Sequence, residues 1–291
     1  MIIDIHYHLD ERIEPVPELL ARMESNRIDR VALMASPCEP FHVGPFAVKL
    51  SAIVRKMLAG SLNSLGRIPY NGTVTSDGMF SVPGKKYLIY SRPDNDAVAS
   101  VIKKYPDKFY GWIFINPVTA DPLKEIERRL EDRSWIGVKA HPFWHSYPLS
   151  LLDETAAFCA EKNFPLIIHL GGGRDNGDFR FLPERHAGLR IIYAHGGVPY
   201  FRGVREYCRD KSNVFMDLSS PYLDENLRRR AVDAAGPEKC LFGTDGPYGY
   251  HDEDGHYDHG VILSEIMRLP ISSGAVDKIL GGNFTEITGR G

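Results

Sequence analysis

Pro165-Leu166-Ile167-Ile168-His169-Leu170-Gly171 is an apolar run of strand length that ends in one imidazole and then runs into glycine. Ile191-Ile192-Tyr193-Ala194-His195-Gly196 repeats the arrangement. Short apolar runs bounded by glycine read as buried strands. Working toward the N-terminus, Gly137-Val138-Lys139-Ala140-His141 is a further such strand. Side chains alternate across a strand, so Lys139 and His141 share one face and Val138 and Ala140 the other. The polar pair is expected to face inward. Toward the C-terminus, Leu241-Phe242-Gly243-Thr244-Asp245-Gly246 puts a carboxylate where the imidazole stood. The first run, Ile2 to His6, continues as His6-Tyr7-His8, and period two aims both imidazoles at one ion while Tyr7 points away. Five strands ending in groups able to bind or activate a metal-bound group are hard to dismiss as rim residues.

The remaining strands are expected at Arg30 to Ala35, Phe109 to Ile115 and Val214 to Leu218. Amphipathic stretches with helical spacing separate them: Pro17 to Asn26, Asp94 to Lys104, Pro122 to Glu131 and Leu151 to Lys162. Further along come Phe201 to Arg209, Tyr222 to Ala234 and His259 to Arg268, with the weakest pattern around Phe179 to His186. Eight strands alternating with helices predict an α/β fold, a closed (β/α)8 TIM barrel, as one domain over residues 1–291. Residues 37–91 break the rhythm between the second strand and its helix and are read as an insertion, a lid-like segment over the barrel mouth. Its second half, Gly60 to Lys86, carries the turn signals Asn71-Gly72 and Asp77-Gly78 and is expected to be irregular or hairpin structure.

The chain has 291 residues, 43% hydrophobic and 25% charged, with 35 basic against 38 acidic residues and a formal charge of -3. Without a concentrated basic cluster, no nucleic acid and no membrane is expected as partner; a small-molecule substrate fits, and a homo-oligomer is compatible. The four cysteines, Cys38, Cys159, Cys208 and Cys240, lie far apart with no CxxC pair. Neither a disulfide framework nor a thiolate zinc site is therefore expected, and a cytoplasmic location is the simplest reading.

Three or four nitrogen and oxygen donors at a barrel mouth suit one divalent ion, Zn²⁺ first and Mn²⁺, Fe²⁺ or Ni²⁺ after it. Such an ion gives hydroxide from bound water near neutral pH and polarises a carbonyl. Asp245 can bind it through one oxygen and take the water proton on the other, with His195 placed to orient the water or stabilise an oxyanion.

These motifs, with Gly137-Val138-Lys139-Ala140-His141-Pro142, Ala194-His195-Gly196-Gly197, Gly243-Thr244-Asp245 and the tail Ile279-Leu280-Gly281-Gly282-Asn283-Phe284, resemble the amidohydrolase superfamily. The branch is the amidohydrolase-related one that includes aminocarboxymuconate-semialdehyde decarboxylase. The resemblance implies His6, His8, His169 and Asp245 as ligands of one zinc-like ion and His195 as the catalytic or water-orienting histidine. Relatives that decarboxylate often carry Glu at the first histidine, so the His6-Tyr7-His8 pair favours a hydrolase of a C–N or C–O bond in an amide, lactone or ester. The substrate is expected to be small and carboxylated. Nonoxidative decarboxylation of an unsaturated or aromatic carboxylic acid is the alternative, and a barrel that only binds a ligand is less favoured.

Lys139, His141, Arg174 and Trp144 are candidates for substrate binding. A free Lys139 ammonium is preferred to a carbamate bridging two ions, as in binuclear relatives, where Lys139 and His195 would join the ligands. Asp217 is read as either hydrogen-bonding a ligand histidine or capping its strand. His251, His256 and His259 among Asp252, Glu253, Asp254 and Asp258 are read as a solvated loop.

Overall fold

The computed structural model describes residues 1–41, 45–251 and 257–290. Strands β1 (Ile3–Leu9) and β2 (Arg30–Ala35) are followed by a separate antiparallel hairpin, β3 (Met79–Val82) and β4 (Lys85–Leu88). Then come β5 (Phe109–Ile115), β6 (Trp135–Ala140), β7 (Leu166–Ile168), β8 (Ile191–Tyr193), β9 (Val214–Asp217) and β10 (Cys240–Leu241). Apart from the hairpin these strands are parallel, in the order β1-β2-β5-β6-β7-β8-β9-β10. The chain closes the sheet on itself, because Ile5 N donates to Phe242 O at 3.1 Å and Asp245 N to His6 O at 2.8 Å. The predicted eight-stranded parallel barrel is thus present, with the insertion after its second strand.

Period two operates as expected. Lys139 pairs in register with Ile167, so both face the barrel interior, while Val138 and Ala140 join the outer core under the helices. Below the site the interior is filled by Ile5, Met34, Trp112, Ile167, Ile192 and Leu241. Gly137 is required here: a Cβ would lie 2.3 Å from the Trp112 ring, which fills the neighbouring inward position. The C-terminal tail latches the closing strand, with Asn283 Nδ2 donating to Pro237 O at 2.8 Å and to Cys240 O at 2.7 Å.

Helix α1 (Val16–Ser25) and the outer helices Asn95–Lys104, Asp153–Glu161, Phe201–Asp210, Glu225–Ala235 and Gly260–Met267 lie close to their predicted places. The weakest expectation, Phe179 to His186, is a short helix over Phe181–Arg185. The insertion is more ordered than its composition indicates. Two helices, α2 (Pro45–Ala59) and α3 (Asn63–Asn71), precede the hairpin, and Asn71-Gly72 ends a helix rather than making a hairpin turn. Gly66 lets them approach, since a Cβ there would come within 2.9 Å of Met57 Cβ. All four cysteines are buried and unpaired. Among the described residues no helix is long and apolar enough to cross a membrane.

Candidate metal centre

The strand ends converge at the C-terminal rim of the barrel. His6, His195 and Asp245 form a cluster in which one ligand atom from each lies within 4.8 Å of the others. His6 Nε2 is 3.5 Å from Asp245 Oδ1, and His195 Nε2 is 3.9 Å from Asp245 Oδ2. His8 Nε2 approaches Asp245 Oδ1 at 3.7 Å, and His169 Nδ1 lies 3.1 Å from His195 Nε2. His195 thus joins His6 and Asp245 in one cluster, with His8 and His169 beside it.

Hydrogen-bond partners assign the tautomers. His6 Nδ1 donates to Asp217 Oδ2 at 2.8 Å and His8 Nδ1 to Ala35 O at 3.1 Å. Ser219 gives its own proton to Asp217, so its Oγ accepts from His195 Nδ1 at 2.7 Å. Each imidazole thus turns an unprotonated Nε2 toward Asp245. Tyr70 donates its hydroxyl proton to Leu170 O at 3.1 Å, so it accepts from His169 Nε2 at 2.9 Å. That leaves the Nδ1 lone pair of His169 facing the Nε2 lone pair of His195. The Lys139 ammonium, 3.3 Å from His6 Nε2, meets one of these lone pairs, and the remaining nitrogen and oxygen donors fit a single divalent first-row ion.

Charges in the cluster follow from burial. Desolvation first, and then the Lys139 ammonium, hold His6 and His169 well below the usual imidazole range. His195 is lowered by burial and by its neighbours His169 and His6, and His8 falls to about 3, chiefly through burial. Burial raises the Asp245 carboxyl to about 7 and lowers Lys139 to about 8. His195 and Asp245 are held at φ 54° and φ 63°, a left-handed conformation uncommon for residues other than glycine. Arg27, Ser146, Asn163 and Ser220 also have positive φ, and His195 and Asp245 are the two that belong to the cluster.

Lys139 is fully buried, its Nζ 3.3 Å from His6 Nε2. His141 stacks on His169 with ring centroids 4.2 Å apart, and Trp144 stacks between His141 and Phe80 of the hairpin. Arg174, by contrast, is exposed, in a four-residue helix beyond the glycine run Gly171–Gly173. The guanidinium that reaches this run is Arg67 of α3, which donates to Gly172 O at 3.4 Å and Tyr200 Oη at 2.9 Å. Asp217 does hydrogen-bond a cluster histidine. It also accepts from the backbone N–H of His195 at 2.9 Å and of Ser219 at 3.0 Å, fixing the ends of two strands.

Sequence reasoning missed Ser219 and Tyr70. Ser219 follows Asp217 by the same period-two step as the His6/His8 pair, a signal that could have found it; Tyr70 lies in the stretch read as irregular. Asp252, Glu253, Asp254 and His256 lie outside the described residues. Among the other members of that run, His259 Nε2 is 3.4 Å from Glu14, behind β1.

Asp217→Asn is expected to weaken divalent-ion binding by about 10- to 100-fold, the usual cost of losing an outer partner of a ligand histidine. Titration calorimetry on the folded variant checks this; unchanged affinity would remove Asp217 from its orienting role.

A family model described as amidohydrolase matches residues 85–286. No curated protein matches the chain. Among solved structures, 4-oxalomesaconate hydratase from Rhodopseudomonas palustris superposes with a TM-score of 0.63 at 16% identity, covering 100% of this chain and 96% of that one. For 5-carboxyvanillate decarboxylase from Sphingomonas paucimobilis the TM-score is 0.58 at 15% identity, with 99% and 98% covered. For 2,6-dihydroxybenzoate decarboxylase from Rhizobium it is 0.58 at 14%, again with 99% and 98% covered. At such identities the likeness is one of fold.

Proposed function

From the premise that this chain belongs to the amidohydrolase family, we propose that it is a metal-dependent, nonoxidative decarboxylase of a small, planar, unsaturated or aromatic carboxylic acid. The observation that carries this reading is the flat aromatic surround of the donors, where His141 stacks on His169 with ring centroids 4.2 Å apart and Trp144 lies beyond it. Asp245 has two carboxyl oxygens in the cluster, so one can face the ion while the other carries a proton toward carbon. The surroundings support a flat acid. Phe114, His141, Phe143 and Tyr222 stand around the donors, and the Lys139 ammonium is available to a carboxylate. Two of the structures similar in fold are those of proteins named as decarboxylases of substituted benzoates.

His6, His195 and Asp245 would hold the ion, with His8 and His169 offering further donors. When bound, a divalent ion supplies Lewis-acid polarisation of substrate oxygens. The chain's own groups then do the rest. Lys139 and the aromatic wall orient the acid, and the Asp245 carboxyl passes its proton to the carbon bearing the carboxylate. The C–C bond breaks, carbon dioxide leaves with both oxygens, and the bonding pair returns to the unsaturated system. Solvent reprotonates Asp245.

Hydrolysis of an amide, lactone or ester, the expectation from sequence, is the second reading. The proximity of His195 Nε2 to Asp245 Oδ2, 3.9 Å, favours it, because the pair could equally take a proton from water. Product analysis separates the two. Metal-loaded protein incubated with hydroxybenzoates, unsaturated dicarboxylic acids and lactones is expected to release carbon dioxide and, in deuterated water, to place one deuterium on carbon. Solvent ¹⁸O appearing in the organic product without carbon dioxide would overturn decarboxylation.

A further inference from the structure

His141 follows β6, the strand that carries Lys139, and the loop after it decides what the imidazole can do. Pro142 comes next, which favours extended backbone at His141. The chain then turns back at once, with His145 N donating to His141 O at 3.1 Å and Tyr147 N to Pro142 O at 3.2 Å. That turn aims the backbone N–H of Trp144 at His141 Nδ1, 3.1 Å away. A ring nitrogen that accepts carries no proton, so His141 is the neutral tautomer with its one proton on Nε2. Its ring lies on His169, centroids 4.2 Å apart, and Trp144 packs at 5.1 Å, so what His141 offers a ligand is an edge rather than a stacking surface.

That edge is unmet. Among the described residues no acceptor reaches Nε2, although His141 is only 4% exposed. His145 Nδ1 in the same loop is sealed in protein, whereas His141 Nε2 is not and opens on the barrel mouth. A donor so nearly buried and without an acceptor is costly, and a bound ligand accounts for it. Lys139, two residues back on the same face, likewise can only donate. Residues two apart on a strand are roughly 6.6 Å apart, so the two donors span one end of a small acid rather than both. We propose that His141 is a substrate-binding residue whose Nε2–H meets an oxo or hydroxyl oxygen on the carbon next to the one that bears the carboxylate held by Lys139, an assignment that rests on the acid substrate proposed above but not on which of its bonds breaks. An amine in that place would leave the N–H unmet.

Calorimetric titration of the zinc-loaded full chain with benzoate and 2-hydroxybenzoate tests this. The wild type is expected to bind 2-hydroxybenzoate more tightly. His141→Phe, which keeps a flat ring on His169, is expected to weaken that acid by about 10-fold or more and to bind benzoate within about twofold of wild type. His141→Gln, which restores an N–H donor, is expected to recover part of the loss. A ratio between the two acids unchanged by His141→Phe would overturn the proposal and leave the acid substrate standing; a wild type that binds neither acid would overturn both. Should His141→Phe lose the ion, the wild type is read alone by two-bond ¹H–¹⁵N NMR of ¹⁵N-histidine protein, the His141 signal being the one absent from His141→Gln. A proton on Nε2, and a shift with 2-hydroxybenzoate that benzoate does not produce, are then expected. A proton on Nδ1, or the absence of that shift, would overturn the assignment.

Discussion

Asp245→Asn is expected to lower kcat by about 10³-fold or more while making the metal-free protein more stable at pH 8. The amide has nearly the same shape and leaves the surrounding imidazoles in place, but it can neither hold nor release the proton that the proposed reaction needs. The stability gain follows from linkage. A carboxyl raised to about 7 in the folded protein is ordinarily ionised above its usual value near 4, so above pH 7 the fold carries a buried charge that the unfolded chain hydrates freely. Removing that charge is expected to add ~2 kcal/mol at pH 8, after discounting the attraction to Lys139 that is lost with it. Calorimetric melting in chelator and turnover with added ion read the two effects separately. Wild-type turnover in the variant would end the proton-carrier assignment.

Acidification of the metal-free protein is expected to unfold it between pH 6 and 5. Burial holds His6, His141, His169 and His195 well below the usual value, His8 at about 3 and His145 at about 4. These six stay neutral in the fold, whereas the unfolded chain protonates them near 6.5. Their contribution is fully present above pH 6.5 and is lost as pH falls below it. Asp245 at about 7 and Asp4 at about 6 take up protons in the fold and act in the opposite sense. Lys139, lowered to about 8, is already charged throughout this window. The balance is about four protons, or roughly 5 kcal/mol per pH unit near pH 5.5, enough to exhaust an ordinary folding free energy within one to two units. Saturating divalent ion competes with those protons and is expected to move the midpoint downward. Native circular dichroism persisting to pH 4 without metal would show that the histidines protonate within the fold.

The barrel was legible in sequence because its signals are local. Period-two alternation, a polar residue at the strand end and the following glycine each occupy a few residues, and together they brought His6, His8, Lys139, His141, His169, His195 and Asp245 to one rim. Which donors lie closest was not legible. His195 and Asp245 sit in left-handed turns that no periodicity encodes, and both belong to the central cluster. In the half of the insertion read as irregular or hairpin structure, the β3–β4 hairpin is present but α3 was missed, because α3 contains Gly66 and Pro69, which are ordinarily helix breakers. Tyr70 was lost with it. Arg174 was chosen because it follows glycines after a strand-end histidine, yet the loop folds back on Asn176, whose Oδ1 accepts from Gly173 N at 3.0 Å, and carries the arginine to the surface.

The seam between the first and last strands of the barrel sets the order of events during folding. His6 and Asp245 lie far apart in sequence, and the two meet through Asp245 N donating to His6 O and Thr244 hydrogen-bonding Asp4. Asn283 clamps the strand that leads to Asp245. A chain whose last strand is not yet paired therefore holds histidines without the carboxylate that joins them, and contacts of such long sequence separation form slowly. In a refolding experiment, ion capture is expected as the final phase, after the helices have formed and once the first and last strands have paired.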